Sequence, residues 1–333
     1  EPVFRETAKE ADAHFKTVSG WSILDEMGRS PASSRMSDTR IAQPANALLQ
    51  IGLTELYKSH GITPAAVMGH SVGEIGSGYA SGLLTMHEAM TVAFHRSQLQ
   101  ARTAGAGTML AVALSEADAA EIIARLAPAV SIAAINAPDV LTLAGAKSDL
   151  SKIAEELTVL GRFNRFLAVD IAYHSAAMDP LETPLISALN GISEGPAKLP
   201  VISSVTGLAV DDHGFDGFYW WRNVRQPVRF MTAIETLVSQ GHRHFLEVGP
   251  HPVLSQAINA CLKQAGHTGA VISTLNRKTS ETQTFYSAVS RVYATGCAFD
   301  WSKLHPKGRQ VDLPPYPFQR ARHWKESPAA HRD

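Results

Sequence analysis

The pentapeptide Gly69-His70-Ser71-Val72-Gly73 constrains this chain more than any other feature, because it lies between the apolar run Ala65 to Met68 and the helix-compatible stretch Glu74 to Leu84. A strand that turns sharply into a helix through Gly-x-Ser-x-Gly holds the serine in a strained conformation that only small neighbours permit, and it exposes the hydroxyl. The same turn aims the backbone N–H of Val72 and the positive end of the following helix at the point where an oxyanion would form.

The rest of the chain supplies the alternation that such an elbow needs. Residues 41 to 60 read as a helix, with apolar side chains at Leu48, Leu49, Ile51, Leu53 and Leu56 and with Pro44 in an early turn. Further on come a helix around Ala176 to Leu189, a strand at Pro200 to Val205, a helix from Phe230 to Gln240 and a strand at His244 to Val248. Alternating strand and helix predicts an α/β fold with a mainly parallel sheet.

Residues 108 to 170 have a different texture. Met109 to Leu114 reads as a strand, Glu116 to Leu126 as a helix opened by Ser115, and Val130 to Ile135 and Val140 to Ala144 as two strands. Lys147 to Leu160 reads as a second helix ended by Gly161, and Arg165 to Val169 as a last strand. This βαββαβ order is ferredoxin-like and predicts a small subdomain inserted in a larger one. The large subdomain is then discontinuous, 1–107 and 171–300. From residue 301 to 333 the chain carries Pro314, Pro315 and Pro317 and reads as an extended strap.

Composition excludes several function classes. Thirty basic against thirty-one acidic residues leave a formal net charge of −1, which gives counterion release nothing to work with and argues against nucleic-acid binding. The apolar runs, such as Val130 to Ile135, are too short to span a bilayer. Cys261 and Cys297 have no metal-ligand spacing and fit reduced thiols, so the cytoplasm is the expected compartment. Neither a metal constellation nor a phosphate-binding glycine loop is present, and no bound cofactor is expected. The opening Glu-Pro-Val-Phe-Arg reads as an amphipathic helix rather than a signal peptide, as in a chain cut from something longer.

A serine nucleophile needs a base. Of the fourteen histidines, His174 stands where the inserted unit hands the chain back to the large one. Together, Gly-His-Ser-Val-Gly-Glu at 69–74, Arg96, Ala-Tyr-His-Ser at 172–175, Trp-Arg-Asn-Val-Arg-Gln-Pro-Val-Arg-Phe at 221–230, Phe-Leu-Glu-Val-Gly-Pro-His-Pro-Val-Leu at 245–254 and Tyr-Pro-Phe-Gln-Arg at 316–320 resemble the acyltransferase domain of a modular type I polyketide synthase. The motifs occur in the family's order and cover nearly the whole chain.

The resemblance implies a hydrolase-like large subdomain with a ferredoxin-like insertion and, after it, a linker strap. It implies that Ser71 is acylated by a coenzyme A thioester and deacylated by the phosphopantetheine thiol of an acyl carrier protein, with a ketosynthase domain as a neighbour. His174 matches the general base, oriented by a main-chain carbonyl from the segment matching Asn223, and Arg96 matches the arginine that pairs with the carboxylate of a malonyl-type group. A planar guanidinium makes two charge-assisted bonds to a carboxylate, which no lysine reproduces.

Extender choice is expected to involve Ile171, Ala172 and Tyr173 ahead of His174, together with Val72 and Gln43. Bulk at Tyr173, Val72 after the serine and Gln43-Pro44-Ala45 favour malonyl over methylmalonyl. The family normally opens with a strand and a Gly-Gln-Gly-Ser-Gln-like turn supplying a second oxyanion donor, and the sequence before Glu1 offers none, so reduced activity and an unpaired sheet position are expected. Two rivals stand beside this reading. One is an esterase or thioesterase using Glu247 and His251, and the other is a non-catalytic segment of a megasynthase that would tolerate Ser71→Ala.

Overall fold

The long helices are specified at their ends as well as along their faces. In the computed structural model, which describes residues 1–192, 195–210, 214–297, 300–304, 309, 311–321 and 323, the helix Pro2–Ser19 begins on proline and stops at Gly20 in the left-handed region. Asp38 caps Thr39–Ser59 by accepting from the Arg40 N–H, and Thr85 and Glu88 form a reciprocal capping box on Met86–Ala101. These three helices pack on one another through Phe15, Leu48, Ile51 and Met90, all fully buried. That packing leaves Gln43, Arg96 and Gln100 buried as well.

The strands are short: β1 is Val67–Met68, β2 Thr108–Val112, β3 Ser131–Ala137, β4 Val140–Gly145, β5 Asn164–Phe166, β6 Val201–Ile202, β7 His244–Glu247 and β8 Ala270–Ser273. Among the described residues the expected parallel sheet consists of two parallel pairs, β1 with β6 and β7 with β8. β6 is shorter than the run Pro200 to Val205 because the chain turns back at Gly207, whose N–H bonds to the Ser203 carbonyl. Ala176 to Leu189 splits into a 3-10 turn, Ala176–Leu181, and the helix Glu182–Ala188, since Pro180 has no N–H to give.

The insertion is ferredoxin-like. Its four strands lie in the order β3-β4-β2-β5, every neighbour antiparallel. The helices Glu116–Leu126 and Lys147–Val159 cover the sheet, burying Ala119, Ile122, Leu150, Ile153 and Leu157 against Leu110, Val112, Leu141 and Leu143.

The insertion is also joined to the larger part. The Ile135 N–H donates to the Val228 carbonyl and the Val228 N–H to the Ala133 carbonyl, each at 2.9 Å. By its contacts the chain divides into Glu1–Phe299 and Asp300–Asp333, so the insertion belongs to the first of these units. In the second, residues 311–321 form neither helix nor strand, while positions 305–308, 310, 322 and 324–333 of the strap lie outside the described residues.

Candidate active site

β1 delivers the chain into the elbow, and only one of its two framing glycines is demanded by space. A Cβ on Gly69 would lie 2.2 Å from the Glu74 nitrogen and 2.3 Å from the Gly73 carbonyl carbon, whereas a Cβ on Gly73 would meet nothing nearer than the Gln50 amide at 3.8 Å. That tight return forces Ser71 to φ 53°. The only other described non-glycine residue with positive φ is His174, at 57°. Backbone strain of this kind costs of order 1–3 kcal/mol per residue and persists where the surroundings over-determine it.

The two strained residues face each other. Ser71 Oγ lies 2.8 Å from His174 Nε2, and His174 Nδ1 lies 2.9 Å from the main-chain oxygen of Gln226. A carbonyl can only accept, so Nδ1 carries the proton and Nε2 is left to receive the serine's.

The orienting carbonyl therefore comes principally from Gln226 and not from Asn223 as expected, with the Asn223 carbonyl a secondary influence on the ring. The reason lies at the end of the helix Gly217–Arg225: Gln226 is the first residue past it, in extended conformation, with its oxygen turned outward. The side chain of Asn223 has other work. Its Nδ2 donates to the Ser71 carbonyl at 3.1 Å and its Oδ1 accepts from Arg96 Nε at 3.1 Å.

Arg96 is 2% exposed. Its Nη2 donates to Ser71 Oγ at 3.0 Å, and its Nη1 donates to Gln43 Oε1 at 2.5 Å and Gln100 Oε1 at 3.1 Å. Every acceptor around it is neutral; among the described residues it has no carboxylate within ion-pair distance. Burial pulls its pKa down to about 10, which still leaves it cationic at neutral pH. A buried, unpaired charge is costly, and its natural complement is an anion from outside the chain.

The sequence profile of the acyl transferase domain family matches residues 1–298. The chain belongs to the acyl transferase domain family. This acyltransferase domain is 34% identical over 328 residues to polyketide synthase GfsB of Streptomyces halstedii, covering 98% of this chain and 6% of that protein. It is 35% identical over 334 residues to erythronolide synthase EryA3 of Saccharopolyspora erythraea, covering 99% of this chain and 10% of that one. The acyltransferase domain from module 8 of the salinomycin polyketide synthase superposes with a TM-score of 0.87 at 29% identity, over 91% of this chain and 72% of that one. The domain thus spans at most about a tenth of these multidomain relatives.

The remaining predicted residues of the acyltransferase domain divide. Tyr173 is half-buried beside Arg96, with its hydroxyl donating to Thr39 Oγ1 at 2.9 Å, and Gln43 donates to the same Thr39 oxygen at 2.7 Å. Ile171 and Ala172 are buried in hydrophobic clusters, Ala172 among Met109, Ala133 and Ala144. Val72 is the middle residue of the 3-10 turn Ser71–Gly73 and packs on the main core. Thr39 and Gln100 were not anticipated, although each sits four positions from a named residue on the same helix face, Thr39 before Gln43 and Gln100 after Arg96. The rival acid Glu247 caps the helix Ser255–Gln264, accepting from the N–H groups of Val253 and Leu254 and from the Ser255 hydroxyl.

Burial, reinforced by the Arg96 charge, pushes the pKa of His174 down to about 3. The ring is therefore neutral throughout the working range. We expect the acylation rate of Ser71 to show no inflection near the ordinary histidine value of 6.5. A clear limb there in a rapid-quench pH profile would contradict the environment described. Folding stability is linked to the same shift, because the unfolded ring binds a proton below about 6.5 and the folded one only below about 3. The stability this residue contributes is present above that window and lost as pH falls through it.

Proposed function

We propose that this domain moves a malonyl-type acyl group from coenzyme A to the phosphopantetheine thiol of an acyl carrier protein, through an ester on Ser71. The observation that carries the reading is Arg96: a buried guanidinium with no carboxylate partner, 3.0 Å from the serine oxygen. A hydrolase of simple esters has no use for such a group, whereas a dicarboxylic acyl chain brings the missing charge.

In the first half-reaction His174 Nε2 takes the Ser71 proton as Oγ attacks the thioester carbonyl. The oxyanion is met by the Val72 N–H at the start of the helical turn. Collapse breaks the carbon–sulfur bond, and the imidazolium gives its proton to the departing sulfur, so coenzyme A leaves as the thiol and His174 is neutral again. The second half-reaction is the reverse with a carrier thiol. Both thiols enter as substrates, so no resident cofactor is required. An open cleft lined by Ala120, Ser131, Ile135, Arg225, Pro227 and His174 offers the approach.

Within this reading Tyr173, fixed by its bond to Thr39, leaves less room for an α-branch than a small side chain would, which favours malonyl over methylmalonyl. Such a module domain works beside a ketosynthase, in the cytoplasm where acyl-coenzyme A is available. The names of the relatives support a place in polyketide assembly.

Intact-protein mass spectrometry after brief exposure to malonyl-, methylmalonyl- and acetyl-coenzyme A tests the reading. The expected result is a malonyl adduct that Ser71→Ala abolishes. In Arg96→Ala, malonyl loading should fall on the order of 100-fold relative to acetyl, the loss of charge-assisted hydrogen bonding to the carboxylate. Equal loss for both acyl groups would remove Arg96 from the acyl pocket.

A further inference from the structure

The acyl pocket leaves one buried acid unused. Glu74, three positions after Ser71, is completely inaccessible, and the dipole of its own helix is not its principal partner. The Ser204 N–H and the Tyr219 hydroxyl donate to its Oε1 at 2.6 and 2.7 Å, and Asn223 Nδ2 donates to its Oε2 at 2.7 Å. Burial pushes its pKa up, and these donors pull it back. The Ser204 N–H and the Asn223 amide N–H can only donate, so Oε1 and Oε2 both accept from them whatever the protonation of the carboxyl.

We propose that Glu74 is a positioning residue: through Asn223 it fixes the orientation of Arg96 and thereby the preference for a carboxylate-bearing acyl group. The inference rests on the reading of Arg96 given above and adds the device that holds it in place.

An amide has one accepting end and one donating end. Glu74 Oε2 faces Asn223 as an acceptor, so it draws the Nδ2 end of the amide toward itself and the Ser71 carbonyl. The Oδ1 end is then compelled to face Arg96 Nε. One buried acid thus sets the polarity of the amide and steers the guanidinium from behind, leaving Nη2 on the side of Ser71.

Glu74→Gln preserves shape and reverses this logic. The oxygen of the substituted amide can still accept from Ser204 and Tyr219, but its NH₂ then opposes Asn223 Nδ2. If Asn223 turns over to accept from it, Nδ2 meets Arg96 Nε donor against donor.

The experiment measures kcat/KM for Ser71 acylation with malonyl- and acetyl-coenzyme A in the wild-type domain, Glu74→Gln, Arg96→Ala and the double variant. The malonyl-to-acetyl ratio should fall about 10-fold or more in Glu74→Gln, mainly through KM for malonyl-coenzyme A, which is the scale of one hydrogen bond to a charged group. In the double variant the ratio should match that of Arg96→Ala alone. A Glu74→Gln that slows both substrates equally, or that multiplies its effect on the Arg96→Ala background, reduces Glu74 to a packing residue and overturns the proposal.

If Glu74→Gln does not fold, Asn223→Ala cuts the same relay with the acid intact. It should lower the ratio likewise, and an unchanged ratio would sink the idea. Arg96→Ala keeps the two readings apart: a ratio unmoved there rejects Arg96 as the carboxylate receptor, whereas a ratio that falls there but not in Glu74→Gln rejects only the relay.

Discussion

His174→Ala should slow formation of the acyl-serine by about 100- to 10,000-fold, the range over which a positioned general base contributes. The geometry argues for the upper part of that range. The imidazole is neutral, its Nδ1–H is committed to the Gln226 carbonyl, and its Nε2 is 2.8 Å from the Ser71 hydroxyl. No second base is at hand, since the other group on Ser71 Oγ is the donor Arg96. The rate is measured in a single turnover by adduct mass, with and without added imidazole. Partial rescue by imidazole would tie the loss to the missing base. A loss under about 10-fold would mean that the proton leaves by another route.

Gly69→Ala is expected to be strongly damaging, and Gly73→Ala, four residues away in the same motif, to be nearly silent. The atoms a Gly69 Cβ would strike, at 2.2 and 2.3 Å, belong to the backbone of Gly73 and Glu74, so no side chain can step aside. The elbow would have to open, carrying Ser71 away from His174 and the Glu74 carboxylate away from Asn223. We expect a loss of about 3 kcal/mol or more, with acylation abolished. Gly73 has helical φ and ψ of −63° and −15° and open space. Its alanine variant should be within about 1 kcal/mol of wild type, on the stabilising side, because the unfolded chain loses freedom. Thermal melts of the two variants side by side decide the matter. Equal damage from both would mean that the motif is constrained by something other than the contact at Gly69.

Periodicity carried the fold further than it carried the site. The βαββαβ order of 108–170 was legible because each of its helices and strands has its own apolar period and its own stop signal, such as Ser115 capping Asp118 and Gly161 at φ 65°. The short parallel strands were legible in place but not in length. Val67–Met68 and Val201–Ile202 are cut off by the elbow and by the turn at Gly207, and an apolar run says nothing about either.

Ser71, His174 and Arg96 could be named from their motifs. What could not be read was the hydrogen-bond wiring. Asn223 meets Ser71 and Glu74 of the elbow and Arg96 of the helix Met86–Ala101, segments that only folding brings to it. Its partners depend on the roll of one helix, and the choice of Gln226 over Asn223 as the orienting carbonyl depends on where that helix stops. The part played by Glu74 could not be read for a simpler reason. A carboxylate in the first turn of a helix already has an electrostatic excuse at the surface, so its burial left no trace in the local sequence.

The position of the insertion has a consequence for how such a domain can be altered. Ser71 and Arg96 precede it, His174 follows it directly, and the Glu74–Asn223 relay lies wholly outside it. Yet Ala120, Ser131 and Ile135, which line one wall of the cleft, belong to it. One wall of the cleft and the chemical centre are therefore written in separate stretches of chain. A graft of residues 108–170 would re-tailor that wall, provided that the pairing of Ala133 and Ile135 with Val228 and the 2.8 Å bond from His70 Nε2 to Asn136 Oδ1 are kept as the seams.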